Sequence, residues 1–352
     1  KNQYQEGTNE YVAVRPKLKK QIEELYRKHP EEARDSFGED PFEVKNILKY
    51  WVFSEKPEFH VIPTDTINIH IDKDALLRSG IMLPKTIRHL KEEDLKDAIP
   101  DKLYISLTDI RMLTKVDLLM LEMLANCNWE RPLYLAISVG SVSKLKFDNY
   151  FVQEGLAFRF TPFDYKKWGD VGENRLYAVD VERLYDNVMN RYKYGGLDTP
   201  GLYLDETTLR TCWYHRRLFA QLAKELIAQG DNERAKKVLA YAEQVIPGYN
   251  VPETHESGSY DIATAYAALG EKTKAVTLAV HLIAEAEDYI NWAFSLKGNR
   301  IEMVRNDCIY KFWQWNQYNE LLKKIDGEKY KESNRRFEEK YALFAPTMNY
   351  KN

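Results

Sequence analysis

The chain of 352 residues holds only three cysteines, Cys127, Cys212 and Cys308, set far apart. An odd number without close spacing excludes a disulfide framework and a cysteine metal knuckle, and leaves the compartment open. No run of about 18 apolar residues exists, so nothing reads as a membrane span. Nothing has the form of a secretory leader either. The polar run from Lys1 to Glu10 reads as the cut end of a longer polypeptide. Charge of one sign is missing too. The formal net charge is -3 with both signs interspersed, which removes the electrostatic case for nucleic acid. Glycine-rich phosphate loops are absent: Gly195, Gly196 and Gly201 fit neither the dinucleotide nor the P-loop spacing, and a helix stop plus turn accounts for them. No two histidines stand at i and i+4, so no helix-borne zinc site is expected. The seven histidines are scattered, and His60 and His70 flank one strand as surface groups. Ser138 to Ser143 surround Gly140 as a strand-end turn, without the spacing of a nucleophile elbow. No cofactor, metal or catalytic signature emerges.

What is present is aromatic side chains and helical punctuation. There are 24 Tyr, 14 Phe and 7 Trp, enough to line binding surfaces or fill the cores of stacked helices. The organising stretch runs from Asp205 to Gly270. Asp205 is a good N-cap, and Leu209, Trp213, Leu218, Leu222 and Leu226 recur close to a helical stripe. Gly230 stops that helix and Asp231 caps the next, which Ala235, Val238, Leu239 and Ala242 carry to Pro247. The punctuation returns 40 residues on, with Gly270, Glu271 and Ala275. This predicts helix–turn–helix repeats of the tetratricopeptide kind, with helices over 205–229, 231–246, 253–269 and 271–290. A last helix over 301–324 would cap the open end.

Upstream, residues 15–54 read as two helices, the second opened by Pro41, with an acidic loop over 31–40 between them. Ile67, Ile69 and Ile71 alternate with polar neighbours, as do Leu103, Ile105 and Leu107, so two half-buried strands are expected. Thr114 caps a helix apolar nearly all round, and residues 132–139 form a third strand ended by Gly140. Strand, buried helix and strand predict a parallel βαβ crossover. A further strand is expected over 155–163, and Asp180 opens another helix. The fold class is therefore α+β: a helical segment at 1–59, a small α/β domain with a βαβ unit at 60–198, tetratricopeptide-like repeats at 199–326, and a charged tail at 327–352.

Two clusters carry a binding expectation. Trp213, Arg216 and Arg217 fall on adjacent helical faces, where a ring could flank two guanidinium groups. Trp313, Trp315 and Tyr318, beside Phe312, sit on the last long helix. A repeat surface lined by such groups suits an extended peptide or a sugar. The plainer reading is packing between helices with solvated arginine ends.

Longer stretches carry a resemblance. Leu184-Tyr185-Asp186-Asn187-Val188-Met189-Asn190, Tyr194-Gly195-Gly196-Leu197-Asp198 and Pro200-Gly201-Leu202-Tyr203-Leu204-Asp205-Glu206 resemble a hallmark of large bacterial multispanning membrane proteins. Asn128-Trp129-Glu130-Arg131-Pro132-Leu133-Tyr134-Leu135-Ala136, and Tyr150 with Gln153-Glu154-Gly155-Leu156-Ala157, are similar to the soluble C-terminal part of the same family. The family is related to transmembrane protein O-mannosyltransferases of the C-type glycosyltransferase superfamily, and the resemblance covers most of residues 60–290. It implies an extramembrane, periplasmic region that holds an acceptor polypeptide or glycan, or a partner, beside its own upstream membrane domain. The family's catalytic acid lies in the membrane half, so no residue here inherits it. Two rivals stand beside this reading: a free-standing repeat scaffold, and a soluble carbohydrate-active enzyme with two facing carboxylates.

Overall fold

A computed structural model describes residues 11–139, 145, 147–172, 177–296 and 300–348. The chain divides into two compact units, 1–180 and 181–352. The expectations placed on Lys1–Glu10 and on Gly140, Ser141 and Ser143 lie outside the described residues.

The first unit is built from short strands and short helices. Strand β1 (Tyr11–Val14) precedes α1 (Leu18–Lys28) and α2 (Pro30–Phe37). The acidic loop expected over 31–40 is thus largely helix. Pro30 at the first turn and Glu31 and Glu32 beside the N-terminal dipole are what a helix start asks for. Helix α3 (Val44–Ile47) runs on into a wider turn over Leu48–Val52, buries Val44, Ile47 and Trp51, and is followed by β2 (Val61–Ile62).

Strand β3 (Thr66–His70) leads through α4 (Lys73–Arg78) and α5 (Glu92–Ala98) to β4 (Lys102–Ser106). The two strands pair antiparallel from Thr66 opposite Ser106 to His70 opposite Lys102. The alternation holds in β4, where Leu103 and Ile105 are buried and Tyr104 faces out, but in β3 Asn68 is buried along with Ile67 and Ile69, and only His70 at its end faces out.

The βαβ crossover is not there. After β4 the chain turns at Asp109, whose φ is 71°, and lays down β5 (Met112–Thr114) along β1. Helix α6 (Lys115–Asn126) follows, then β6 (Tyr134–Ala136), in a different sheet from β4. Three residues between Ile110 and Thr114 therefore redirect the chain to another sheet before the helix begins. Nor is α6 buried all round. Leu118, Leu121 and Leu124 pack inward, but Val116, Leu119 and Met123 are about half exposed. Its start is as read: the Thr114 hydroxyl accepts from Asp117 N, and the Asp117 carboxylate accepts from Thr114 N at 2.8 Å. Strands β7 (Phe151–Gln153), β8 (Ala157–Phe160) and β9 (Ala178–Val179) complete the sheet β6-β8-β7-β9, in which only β7 and β9 run parallel. Ile67, Leu113, Leu121, Val152, Phe160 and Phe163 belong to one core.

The second unit is helical. Helix α7 (Val181–Asp186) widens over Asn187–Arg191 and leads by a glycine-rich loop to α8 (Glu206–Ala228), α9 (Asn232–Val245), α10 (Ser259–Ala268) and α11 (Lys272–Ser295). A single turn, α12 (Arg300–Met303), precedes α13 (Arg305–Ile325) and α14 (Gly327–Met348), so the charged tail is helix as far as it is described. Asp205 caps α8, its carboxylate accepting from Thr207 N and Thr208 N.

Gly230 and Gly270 end α8 and α10 identically. Each has φ near 80°, and each gives its N–H to the carbonyl three residues back. The next residue donates to the carbonyl five back, Asp231 to Leu226 and Glu271 to Tyr266, both at 2.9 Å. This is the Schellman stop, written twice. Helix α8 packs on α9 and α10, α10 on α11, α11 on α13, and α13 on α14.

Candidate binding surfaces of the helical unit

Arg216 lies on the buried side of α8, 3% exposed. Its Nη1 donates to Pro252 O at 2.8 Å and Ser257 Oγ at 3.1 Å, and its Nη2 to Ile246 O at 3.0 Å and Val251 O at 2.5 Å. One side chain therefore ties down the whole α9–α10 loop. Burial pulls the guanidinium down to about 10, which still leaves it charged at neutral pH. The same loop reaches the other way. Asn250 Nδ2 donates to Leu197 O and Thr199 O, and Tyr249 OH to Asp198 O, which pins the Gly195–Gly201 turn.

Residues of α9, α10, α11 and the loop after α9 line a groove of about 390 Å³. Its floor is apolar, from Leu239, Ala242, Ile246, Ile262 and Leu278. Its rim carries Glu243, Glu253, Lys274, Thr277 and His281. Across one end Lys274 Nζ reaches Glu243 at 2.8 Å, and Tyr266 OH donates to Glu243 Oε1 at 2.5 Å. Tyr266 is held well above the ordinary phenol range by burial first and by the Glu243 bond second. An apolar floor with a few directed polar groups is the common form of a ligand site.

A second surface surrounds His255, in the loop before α10. Tyr310 and Trp313 stack at 5.6 Å with planes 12° apart, and each stays about half exposed, 45% and 49%. His255 meets both rings edge-on, at 6.1 and 5.6 Å, and stacks on Tyr260 at 5.8 Å. Its Nδ1 lies 2.9 Å from Tyr318 OH. Burial holds the imidazole below its usual range, although Glu256 and Asp261 oppose this.

The residues expected to bind separate on these facts. Arg216 spends its donors inward. Trp315 and Tyr318 are interior, at 0% and 1% exposure, and Trp315 Nε1 donates to Ser333 Oγ. Burial raises the Tyr318 hydroxyl above its usual range. Trp213 is half-buried, and its Nε1 has no hydrogen-bond partner among the described residues. Arg217 is exposed, lies over Tyr214 at 5.5 Å and donates from Nε to Glu256 O at 2.6 Å. Trp313 alone of the aromatic set presents its ring. Sequence reasoning missed Tyr310 and His255. Tyr310 stands three residues before Trp313, a helical spacing that could have flagged it, whereas His255 is brought in by a loop.

Among the described residues no helix is long and apolar enough to cross a membrane, and no three His, Cys, Asp or Glu side chains group to hold a metal ion. Residues 1–182 match the family model described as TMEM260-associated domain 2. The chain belongs to the TMEM260-associated domain 2 family. No curated protein and no solved structure matches it. In this TMEM260-associated chain the match ends where the helical unit begins, so the groove and the aromatic surface both lie outside it.

Proposed function

We propose that this chain is a non-catalytic, extramembrane region of a membrane-embedded glycosyltransferase-like protein of the C-type superfamily, on the periplasmic face. Its helical half would hold the acceptor, a polypeptide or its glycan, for O-mannosyl-type transfer carried out by the membrane half. The observation that carries this is the TMEM260-associated match over the first unit. The resemblance at Leu184–Glu206 supports extending it into the helical unit. The duplicated Gly230 and Gly270 stops support a tetratricopeptide-like reading of α8–α11, an architecture that grips guests without transforming them.

The groove between α9 and α11 is where the acceptor would lie. Filling it tests the idea. In the full membrane protein, Thr277→Trp should abolish or strongly reduce transfer to a polypeptide acceptor while leaving the melting curve of the soluble chain intact. Undiminished transfer would remove the groove from the reading. The rival enzyme would use Glu243 and Glu253, which line the same groove. Glu243 is already committed to Tyr266 and Lys274, which favours a structural role for it. Turnover of a glycan by the isolated chain, lost in Glu253→Gln, would establish the rival instead.

A further inference from the structure

The surface around His255 shares no residue with the groove. Its three outward-facing features are of different kinds. The first is the flat Tyr310–Trp313 pair, half exposed on α13. The second is His255, whose Nδ1 is engaged by Tyr318 while its Nε2 has no protein partner among the described residues and is not sealed from solvent. The third is Arg217, which spends Nε on Glu256 O and leaves both terminal nitrogens without a partner among the described residues.

Two large rings left half exposed side by side form a contiguous apolar patch, and such a patch marks a binding surface. A leucine-like side chain would ask for an enclosing pocket, and would leave the imidazole and guanidinium unused. A charged ligand would need a local excess of one sign. Here charges of both signs act on the imidazole, Glu256 and Asp261 against Lys311 and Arg217. Lys311 is further tied to Glu285 at 3.2 Å, and Glu256 accepts from Gln314 at 3.1 Å. Lys311 and Glu256 on the rim are thus engaged by neighbours, while the outer ring faces, one imidazole nitrogen and the terminal nitrogens of Arg217 remain open. An apolar face edged by hydroxyls answers all three, and that is the form of a sugar ring.

We propose that the His255–Tyr310–Trp313 surface is a carbohydrate-binding site that takes the C–H face of an uncharged pyranose. The sugar stacks on the exposed ring of Trp313 or Tyr310, and its hydroxyls meet His255 Nε2 and the Arg217 guanidinium. The site rests on this ring geometry and not on the groove, so either can fail alone.

The test uses the whole chain and a panel of methyl hexopyranosides and linear hexose oligosaccharides, read by saturation-transfer NMR and tryptophan fluorescence. The NMR should show saturation passing to the C–H protons of one sugar face. Trp313→Ala and Tyr310→Ala should each weaken binding roughly tenfold or more, and Trp313→Phe, which keeps a ring, by much less. Trp313→Leu keeps bulk without a ring and should behave like Trp313→Ala. Tyr203→Ala, a fully solvated tyrosine elsewhere on this unit, should change nothing. Trp313→Phe should melt within about 2 °C of the parent and the Ala and Leu variants within roughly 5 °C, because each altered ring is only half-buried. Binding of none of the saccharides would overturn the proposal. So would binding that survives Trp313→Leu, or a proline-rich peptide binding here in place of the sugars.

Discussion

Asp40 shows how a single side chain can organise a corner. Its carboxylate accepts from Phe42 N at 2.9 Å and from Lys102 Nζ at 2.5 Å. Burial alone would raise its pKa, but Lys102, Phe42 N and Asn68 outweigh that and hold it below the usual carboxylate range. A depressed folded pKa contributes stability above the unfolded value, near 4, and loses it as pH falls through the folded value. Asp40→Asn should therefore cost about 1–2 kcal/mol at pH 7, and in urea titrations the gap from the parent should close as pH falls through the depressed folded pKa of Asp40. Arg216→Met should cost more, about 3 kcal/mol, because it removes four hydrogen bonds to the α9–α10 loop and leaves the buried Ile246 and Val251 carbonyls without that donor. Chemical denaturation with unchanged slope would check it. Neither role was legible beforehand. The i, i+3, i+4 spacing puts Trp213, Arg216 and Arg217 on neighbouring faces but does not say which face turns inward. Trp129 makes the same point. It and Asn128 hold φ of 60° and 49°, a strained turn, because the indole must reach His70 O at 2.8 Å and stack beside Phe160.

At the scale of elements, punctuation was the most readable signal. The caps at Thr114, Asp205 and Asp231 stand where the sequence put them, since a cap needs only its own first turn. The stops at Gly230 and Gly270 are equally local. With open space where each Cβ would go, Gly230→Ala and Gly270→Ala should each cost about 1 kcal/mol, from the backbone conformation alone, and by nearly equal amounts. Thermal melts of the two variants would show it, and a large inequality would mean the two hairpins are not equivalent. Strand alternation at Leu103–Leu107 was legible for the same reason. Strand partners were not. Pairing of strands three to five residues long is decided by distant segments, so β5 could join β1 and undo the expected crossover without any mark in α6.

At the scale of the molecule, each unit has its own buried interior: Leu113, Leu121 and Val152 in the first, and Leu222, Leu239, Ala275 and Leu282 in the second. Residues 181–352 expressed alone should keep a strongly helical circular dichroism spectrum and melt cooperatively, as a chain segment with its own core does. A spectrum of random coil would mean that the helices borrow their stability from elsewhere. The loop from Ile246 to Ser257 walls the groove with Pro247, Gly248 and Glu253, and it also sets His255 and Glu256 beneath the aromatic pair. Of its anchors the Arg216 guanidinium makes the most bonds, four, as a keystone between two arches. Loosen Arg216, and both faces should blur together, a double symptom that damage to either wall alone could not produce.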